Sequence, residues 1–309
     1  MTISPRQGEL TIERMCRLAG VSRAGYYRHW AASAPRAEET GVRDAIQRLV
    51  LTHRHYGYRR ISAQLRREGF VVNRKRVLRL MREDNLLCLR QRPFVPVTTD
   101  SRHPWRVVPN LARGMMPDGL DQLWVADITY IRLQEEFAYL AIVLDAFSRR
   151  VVGWALETHL EARLAIAALS MALAARQPRP GSLIHHSDRG IQYACGDYTE
   201  LLQQHDIAPS MSRVGNPYDN ARAESFMKTL KQEEVDGQTY RDAQQARNAI
   251  GTFIEDVYNR QRLHSALAYR PPAEFEANLP HGGAAAQQPR HATLTRQPAL
   301  PLQAAGTCP

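Results

Sequence analysis

The order of the apolar runs from residue 122 onward constrains the fold of this chain more than any other feature. Three strand-like runs come first, namely LWVADITYI, then FAYLAIVLD and VVGWALE around a turn at 145–149. They are followed by a helical pattern at 160–176, strand-like SLIHHSD, a helical pattern at 196–206, strand-like IAPSMS, and helical patterns at 221–235 and 241–259. Three strands followed by alternating helices and strands predict an α/β fold, with a mixed five-stranded sheet and helices on its faces.

The net positive charge of the chain lies in its first third. Residues 1–100 contain 20 Lys and Arg against 9 Asp and Glu, a net charge of +11, whereas residues 101–309 carry a net charge of −1. A basic segment joined to a neutral remainder is typical of a polyanion-binding module attached to a second unit. On charge alone, a merely solvated basic face is the alternative.

Helical periodicity in this basic third predicts two all-α, helix-turn-helix-like segments. In residues 9–30, Gly20 can end one helix and Ser22 can cap the next. Residues 38–90 repeat the pattern more strongly, and Asn73 can cap the helix RKRVLRLMREDN. For the first segment, an ordinary helical hairpin is an equally good interpretation.

The helix after Asn73 is crowded with basic residues, and the candidate DNA contacts on it are Arg74, Lys75, Arg76 and Arg79. With almost no acidic partners expected nearby, these side chains favour a recognition helix whose cations clamp phosphates. A soluble helix that simply displays charge is the alternative.

Breaks in composition divide the chain into five predicted segments. Repeated prolines predict a linker, and the Ala-, Gln- and Pro-rich end predicts a disordered tail. The predicted segments are a helix-turn-helix-like segment at 1–35, a helix-turn-helix DNA-binding domain at 36–92, a linker at 93–121, the α/β core at 122–280 and the tail at 281–309.

Cysteine spacing and hydropathy exclude several classes of protein. The four cysteines lie far apart with no C-x-x-C, which argues against a disulfide scaffold and a zinc ribbon. No run approaches the roughly 18 apolar residues of a membrane span, and the first residues show no signal peptide. We therefore expect a cytoplasmic protein with no membrane contact.

Three carboxylates lie at positions that a purely structural role does not readily explain. Asp127 interrupts an apolar strand, Asp188 ends the next clear buried strand, and Glu224 lies in a helix 36 positions later. A buried carboxylate is costly unless it is paired or ligates a cation, and strand ends of an α/β sheet face the ligand crevice. Hard oxygen ligands suit Mg²⁺ or Mn²⁺. For any single acid, a cap, a turn or a salt bridge is the better interpretation. Asp145, in LDAFSRR, is interpreted as a turn residue.

The sequence motifs around these acids resemble those of the IS-three family of bacterial insertion-sequence transposases, specifically of the protein encoded by the second open reading frame. The matching words are WVADITYI, VLDAFSRRVVGW, HHSDRGIQY, SMSRVGNPYDNARAESFMKTLKQE and YNRQRLHSALAYRPPAEFE, together with RLAGVSRAGYYR and RHYGYRRISAQLRREG nearer the start. The resemblance covers about residues 10–278. Asp127, Asp188 and Glu224 match the family's D,D,35-E triad, and Lys231 matches its basic residue after the glutamate.

This resemblance implies an RNase-H-like integrase catalytic core at 122–280 and a DDE transposase, a polynucleotidyl transferase acting in DNA transposition and integration. Metal-dependent cleavage and strand transfer would take place at the element ends. Asp127, Asp188 and Glu224 would be catalytic and would hold two Mg²⁺ or Mn²⁺ ions. The implied partners are double-stranded DNA at ends and target, further copies of the chain on DNA, and an upstream reading-frame product or a fusion with it. The implied location is the bacterial nucleoid.

Other residues in these motifs are weaker candidates for a functional role. Lys228 and Lys231 share a helix face with Glu224 and are candidate DNA contacts, with solvent-exposed charge as the alternative. His186 and Arg189 could support Asp188 or touch phosphate. A turn that caps the Glu224 helix is predicted from Asn216, Tyr218, Asp219 and Asn220. Arg262 and His264 are interpreted as a polar cluster that closes the fold.

Two competing functions make different predictions. A non-catalytic DNA-binding protein predicts the loss of one of the three acids, and all three are present. A structure-selective nuclease on the same fold predicts no helix-turn-helix array, and the sequence predicts one.

Overall fold

The computed structural model describes residues 6–7, 10–27, 39–88, 108–213 and 220–279. The chain divides into two compact units, Met1–Arg90 and Gln91–Pro309. Most of the predicted linker and the whole predicted tail lie outside the described residues, and the five-segment division stays a prediction.

The first unit is mainly helical, as predicted. Its helices are α1 (Ile12–Leu18), α2 (Thr40–Thr52), α3 (Tyr58–Arg67) and α4 (Arg74–Glu83), and residues 23–27 are also helical. Two of the predicted caps are confirmed: Ser22 Oγ accepts from Gly25 N at 2.9 Å, and Asn73 Oδ1 accepts from Lys75 N at 2.8 Å. A short antiparallel pair of strands, Arg6–Gln7 and Leu10–Thr11, was not predicted.

Helices α2 to α4 pack around a small apolar core. The side chains with no solvent exposure at this core are Ile46, Ile61, Val77, Leu80 and Met81. Together with the buried Leu49 of α2 and Leu65 of α3, they recur at helical spacing on each helix, so burying them draws three amphipathic faces together. Most basic side chains are left on the outer faces, with Arg43 as a buried exception.

The second unit is built on the predicted mixed sheet of five strands. These are β1 (Leu123–Arg132), β2 (Phe137–Asp145), β3 (Val151–Glu157), β4 (Ile184–Ser187) and β5 (Ala208–Met211). The spatial order is β3-β2-β1-β4-β5, with β1, β2 and β3 antiparallel and β1, β4 and β5 parallel. Asp145 ends β2 as a turn residue: its Oδ1 accepts from Phe147 N and Ser148 N.

Helices cover both faces of the sheet. They are α5 (Ala162–Arg176), α6 (Ile191–Ala194), α7 (Gly196–Gln204), α8 (Ala221–Leu230), α9 (Ala243–Thr252) and α10 (Pro272–Ala277). Two π-helical segments, Lys231–Val235 and Phe253–Tyr258, extend α8 and α9, and Ser265–Leu267 is a 3₁₀ turn. Apolar side chains of α5 to α7 pack on one face, and those of α8 and α9 pack on the other.

Close packing of α5 on the sheet depends on Gly153 in β3. A Cβ atom at this position would lie 2.1 Å from the carbonyl oxygen of Ala168. Because that neighbour is backbone, no side-chain rotation could relieve the clash. Gly153 therefore lets the helix approach the strand directly.

Candidate active site

The two aspartates are brought together by the pairing of β1 with β4. These strands run parallel, and Val125 is the registered partner of His186. Asp127 lies two residues beyond Val125, and Asp188 lies two residues beyond His186. Since neighbouring strands are about 4.8 Å apart, the two carboxylates occupy matching positions on adjacent chain segments, although 60 residues separate them in sequence.

Each aspartate is oriented by a backbone amide. Asp127 Oδ1 accepts a hydrogen bond from Ile128 N at 3.0 Å, and Asp188 Oδ1 accepts one from Gly190 N at 2.9 Å. The segment after Asp188 is held in turn by Arg189, whose Nε donates to the carbonyl of Ser212 at 2.8 Å. These bonds position the carboxylates before any ligand binds.

Glu224 is carried to the aspartates by the start of α8. Asn220 precedes this helix, and its Nδ2 donates to the carbonyl of Ala126 at 3.0 Å. The bond ties the helix start to the residue next to Asp127. Asn220 occupies the N-cap position of the helix, but its side chain makes no cap hydrogen bond and reaches across to β1 instead. Asn216, Tyr218 and Asp219 lie outside the described residues.

The three carboxylates influence one another electrostatically. Burial, followed by the charge of Asp188, raises the pKa of Asp127 to about 8, and the charge of Glu224 adds to the rise. The hydrogen bond from Ile128 and the charge of Lys231 act in the opposite direction. Desolvation also raises the pKa of Glu224. Asp188 and Glu224 therefore lie close enough to Asp127 for their charges to disfavour its ionisation.

The donor chemistry of this neighbourhood fits a hard divalent cation. All three predicted ligands are carboxylates, and a cation would offset the repulsion that raises the pKa of Asp127. Within the described ranges, however, no group of three or more His, Cys, Asp or Glu side chains is arranged so that it could hold a metal ion. The three acids are thus neighbours, but their side chains are not arranged to coordinate a metal ion.

The two lysines predicted to contact DNA, one on α8 and one directly after it, differ in their surroundings. Lys228 is exposed, whereas Lys231 is half-buried, with its Nζ 4.4 Å from the centroid of the Tyr130 ring. Desolvation lowers the pKa of Lys231, while the charges of Asp236 and Asp127 partly offset that effect. The positive charge of Lys231 therefore acts on Asp127. DNA contact by either lysine stays a prediction.

His186 supports the site from within the sheet. It is fully buried, its Nδ1 lies 2.8 Å from Ser210 Oγ, and its Nε2 lies 3.0 Å from Ser212 Oγ. These contacts join the end of β4, next to Asp188, to β5. Farther away, the predicted polar cluster is confirmed for Arg262, which binds Glu233 Oε1 at 2.7 Å and Oε2 at 2.9 Å.

The basic helix α4 of the first unit is only partly as expected. Arg79 binds Glu39 at 2.6 Å and Glu83 at 2.8 Å, and Arg76 lies 3.3 Å from Glu39. The expectation of almost no acidic partners is therefore wrong, because Glu39 and Glu83 form ion pairs with these arginines. Arg74 and Lys75 are exposed. A role of the four basic residues in DNA binding stays a prediction.

Sequence reasoning overlooked Tyr193, which lies in α6 five residues after Asp188. The charges of Asp188 and Asp127 are among the causes that raise its pKa. The available signal was a tyrosine at the end of the HHSDRGIQY word, close in sequence to a candidate ligand.

Comparisons with known proteins agree with this arrangement. Two family models described as integrase core domains match residues 118–217 and 205–272, and a model of an HTH-like domain matches residues 36–94. They confirm the predicted integrase core and the helix-turn-helix-like region that precedes it. Among the described residues, no helix is long and apolar enough to cross a membrane.

Curated relatives match over most of their length. The chain is 40% identical over 266 residues to the uncharacterized 31 kDa protein of insertion element IS600 from Shigella sonnei, with 84% of this chain and 97% of that protein covered. It is 37% identical over 281 residues to transposase InsF for insertion sequence IS3A from Escherichia coli strain K12, with 89% and 96% covered. A solved structure of the HTLV-2 integrase catalytic core domain in complex with magnesium matches with a TM-score of 0.37 and 16% identity, covering 50% of this chain and 94% of that one.

Proposed function

Because this chain belongs to the IS3 family of insertion-sequence transposases and acts in DNA transposition, we propose that it cleaves and joins DNA strands at the ends of an insertion sequence by DDE chemistry. The observation that supports the proposal is the parallel register of β1 and β4, in which Val125 pairs with His186, two residues before Asp127 and Asp188 respectively. Glu224 adds its charge to the same neighbourhood.

In this proposal, Asp127, Asp188 and Glu224 hold two Mg²⁺ or Mn²⁺ ions. Such ions, when bound, activate an attacking oxygen and stabilise the leaving oxygen in an in-line displacement at phosphorus. The three side chains would converge on the cations, because a bound cation would offset the repulsion from Asp188 and Glu224 that, after burial, raises the pKa of Asp127.

Two displacements account for transposition. In the first, the oxygen of a water molecule bonds to the phosphorus at an element end, and the DNA 3′ oxygen leaves and takes up a proton. In the second, that 3′-hydroxyl attacks another phosphodiester, one P–O bond replaces another, and no covalent protein intermediate forms. Lys228 and Lys231 would attract phosphates toward the acids.

Binding to double-stranded DNA would also involve the first unit, through Arg74, Lys75, Arg76 and Arg79. Pairing two element ends calls for at least two copies of the chain on DNA. A fusion with an upstream reading-frame product would supply further end recognition.

The experiment is strand cleavage and joining on labelled duplex carrying the DNA that flanks this gene, with Mg²⁺, Mn²⁺ or EDTA. Asp188→Asn and Glu224→Gln are expected to lower the yield of joined product on the order of 10³-fold. The matched control is Glu200→Gln, which makes the same chemical change at an exposed position of α7 and should retain wild-type activity.

Metal-dependent product that both triad variants abolish would establish the function. Product that persists in Asp188→Asn or in EDTA would contradict it. DNA binding without product, in the chain and in its upstream fusion alike, would point to the binding-only alternative.

A further inference from the structure

Tyr193 has a buried hydroxyl that no described residue satisfies. The side chain is 3% exposed, and its hydroxyl has no hydrogen-bond partner within the described ranges. A buried polar group without a partner destabilises the folded state, so most such groups in native proteins are paired. The exception at Tyr193 lies in the helical turn directly after Asp188.

The ring of Tyr193 packs against the turn that holds Asp188. A Cβ atom built on Gly190 would lie 3.0 Å from Asp188 Oδ1 and 3.6 Å from Tyr193 Cδ2. The ring edge, the Asp188 carboxylate and Gln192 Oε1, at 3.1 Å, therefore all lie close to the same point. Burial, then Tyr198, then Asp188 and Asp127 raise the pKa of Tyr193 well above its ordinary value. The hydroxyl thus keeps its proton at neutral pH and can act as a donor.

The polar neighbours of Tyr193 on its own side of the sheet already satisfy each other. The Tyr198 hydroxyl lies 3.0 Å from His185 Nε2, and the Tyr193 and Tyr198 rings pack edge to face with centroids 5.4 Å apart. Burial lowers the pKa of His185 to about 3, so its neutral ring can accept a hydrogen bond from the Tyr198 hydroxyl. The carboxylates whose charges act on Tyr193 are those of Asp188 and Asp127, and Asp188, the triad acid nearest to Tyr193 in sequence, is a candidate acceptor.

We propose that Tyr193 is a positioning residue of the active site, whose hydroxyl donates a hydrogen bond to the Asp188 carboxylate when that carboxylate turns to hold a divalent cation. The bond would orient the carboxylate and keep one of its oxygens directed at the ion, as donors behind metal ligands do. The proposal rests on the proposed function, since it assumes that Asp188 is a ligand.

The test measures cation binding rather than catalysis. Thermal unfolding of the full chain is followed in EDTA and across a series of MnCl₂ concentrations, for wild type, Tyr193→Phe, Tyr198→Phe and Asp188→Asn. The rise of the midpoint with Mn²⁺ gives an apparent affinity. Tyr198→Phe is the matched control, because it removes a hydroxyl from the adjoining ring that already has a partner.

Tyr193→Phe is expected to unfold in EDTA at or above the wild-type midpoint and to bind Mn²⁺ about 10- to 100-fold more weakly. Tyr198→Phe should unfold at a lower midpoint in EDTA and keep the wild-type Mn²⁺ affinity. Wild-type Mn²⁺ affinity in Tyr193→Phe, or an EDTA midpoint lowered as in Tyr198→Phe, would overturn the role of Tyr193 alone. Absence of any Mn²⁺ shift in wild type, or its persistence in Asp188→Asn, would overturn the metal site itself and this proposal with it.

Discussion

In the first unit carboxylates face arginines, whereas in the second unit the candidate catalytic carboxylates face one another. Glu39 is buried between Arg43, Arg76 and Arg79, and hydrogen bonding to Arg79 lowers its pKa. In contrast, burial and neighbouring acids raise the pKa of Asp127 to about 8. Carboxylates paired with cations inside the chain stabilise the fold, whereas carboxylates grouped together leave a charge that an added cation can satisfy.

The largest expected effect is an opposite dependence of the two units on pH. The pKa of Asp127 is raised by folding, so its ionisation opposes folding: the free energy of unfolding should fall as pH rises from about 4 to about 8 in EDTA. We expect about 5 kcal/mol across this window, and Asp127→Asn should flatten the slope. Denaturant unfolding at several pH values checks this.

Added Mg²⁺ should flatten the same slope in wild type, since it favours the ionised carboxylate. Glu39 and Glu83 have lowered pKa values, so their stabilisation is present above the unfolded pKa and is lost as pH falls through the folded value. A first unit that instead loses stability as pH rises from 4 to 8 would contradict the comparison.

Removing the central arginine of the first unit should have the next largest effect. Arg43 contacts Glu39, Glu83 and Asp84, and its side chain is only 11% exposed. Arg43→Met would remove the Arg43 partner of Asp84 and one of the three arginines around Glu39, and it should lower the free energy of unfolding by about 2 kcal/mol. The control is Arg48→Met, because Arg48 is 62% exposed in its ion pair with Glu68 and should change stability little. Equal effects of the two variants would show that burial does not strengthen these pairs.

Asn220 tests how the second unit positions its acids. Asn220→Ala would remove the bond to Ala126 and lower the free energy of unfolding by about 1 kcal/mol. Joined product should fall more than that loss explains, because the start of the Glu224 helix is no longer tied to β1. Parallel measurements of unfolding and strand joining check this, and Asn248→Ala, on an exposed face of α9, is the control. A fall in product no larger than in the control would contradict a positioning role.

The smallest effect distinguishes two basic residues of α4. Lys75 is exposed, and no ion pair joins it to another described residue, whereas Arg79 binds Glu39 and Glu83. Lys75→Ala should leave stability unchanged and reduce the slope of log binding constant against log salt by about 1. Arg79→Ala should mainly lower stability. Measurement of DNA affinity over a salt series beside thermal unfolding separates them, and a Lys75 variant with an unchanged salt slope would remove it from the DNA contacts.

Local patterns were sufficient for most of the fold. Alternating and helical apolar periodicity predicted the five strands and the main helices, and capping chemistry predicted Ser22 and Asn73. These features depend on residues close in sequence, so a sequence shows them directly. Residue chemistry grouped the three acids as a candidate oxygen-ligand site, and resemblance to a known family identified them as a triad.

Contacts between distant residues were not predictable in this way. Glu39 precedes Arg79 by 40 residues, and nothing local indicates that they pair. Asn220 stands at a helix start, where propensity favours a cap, yet a buried carbonyl 94 residues earlier takes its donor. In both cases a partner distant in sequence became available only through tertiary packing.

The sequence by itself determined the order and type of the elements, the concentration of positive charge in the first third and the identity of the three acids. Only the tertiary structure decided that Asp127, in β1, and Asp188, directly after β4, follow registered residues of neighbouring strands, and that Glu39 pairs with arginines expected to contact DNA. It also decided that the Tyr193 hydroxyl is buried without a partner among the described residues. The physical reason is that element formation follows from local periodicity, whereas strand register, burial and charge pairing are set when distant segments pack against each other.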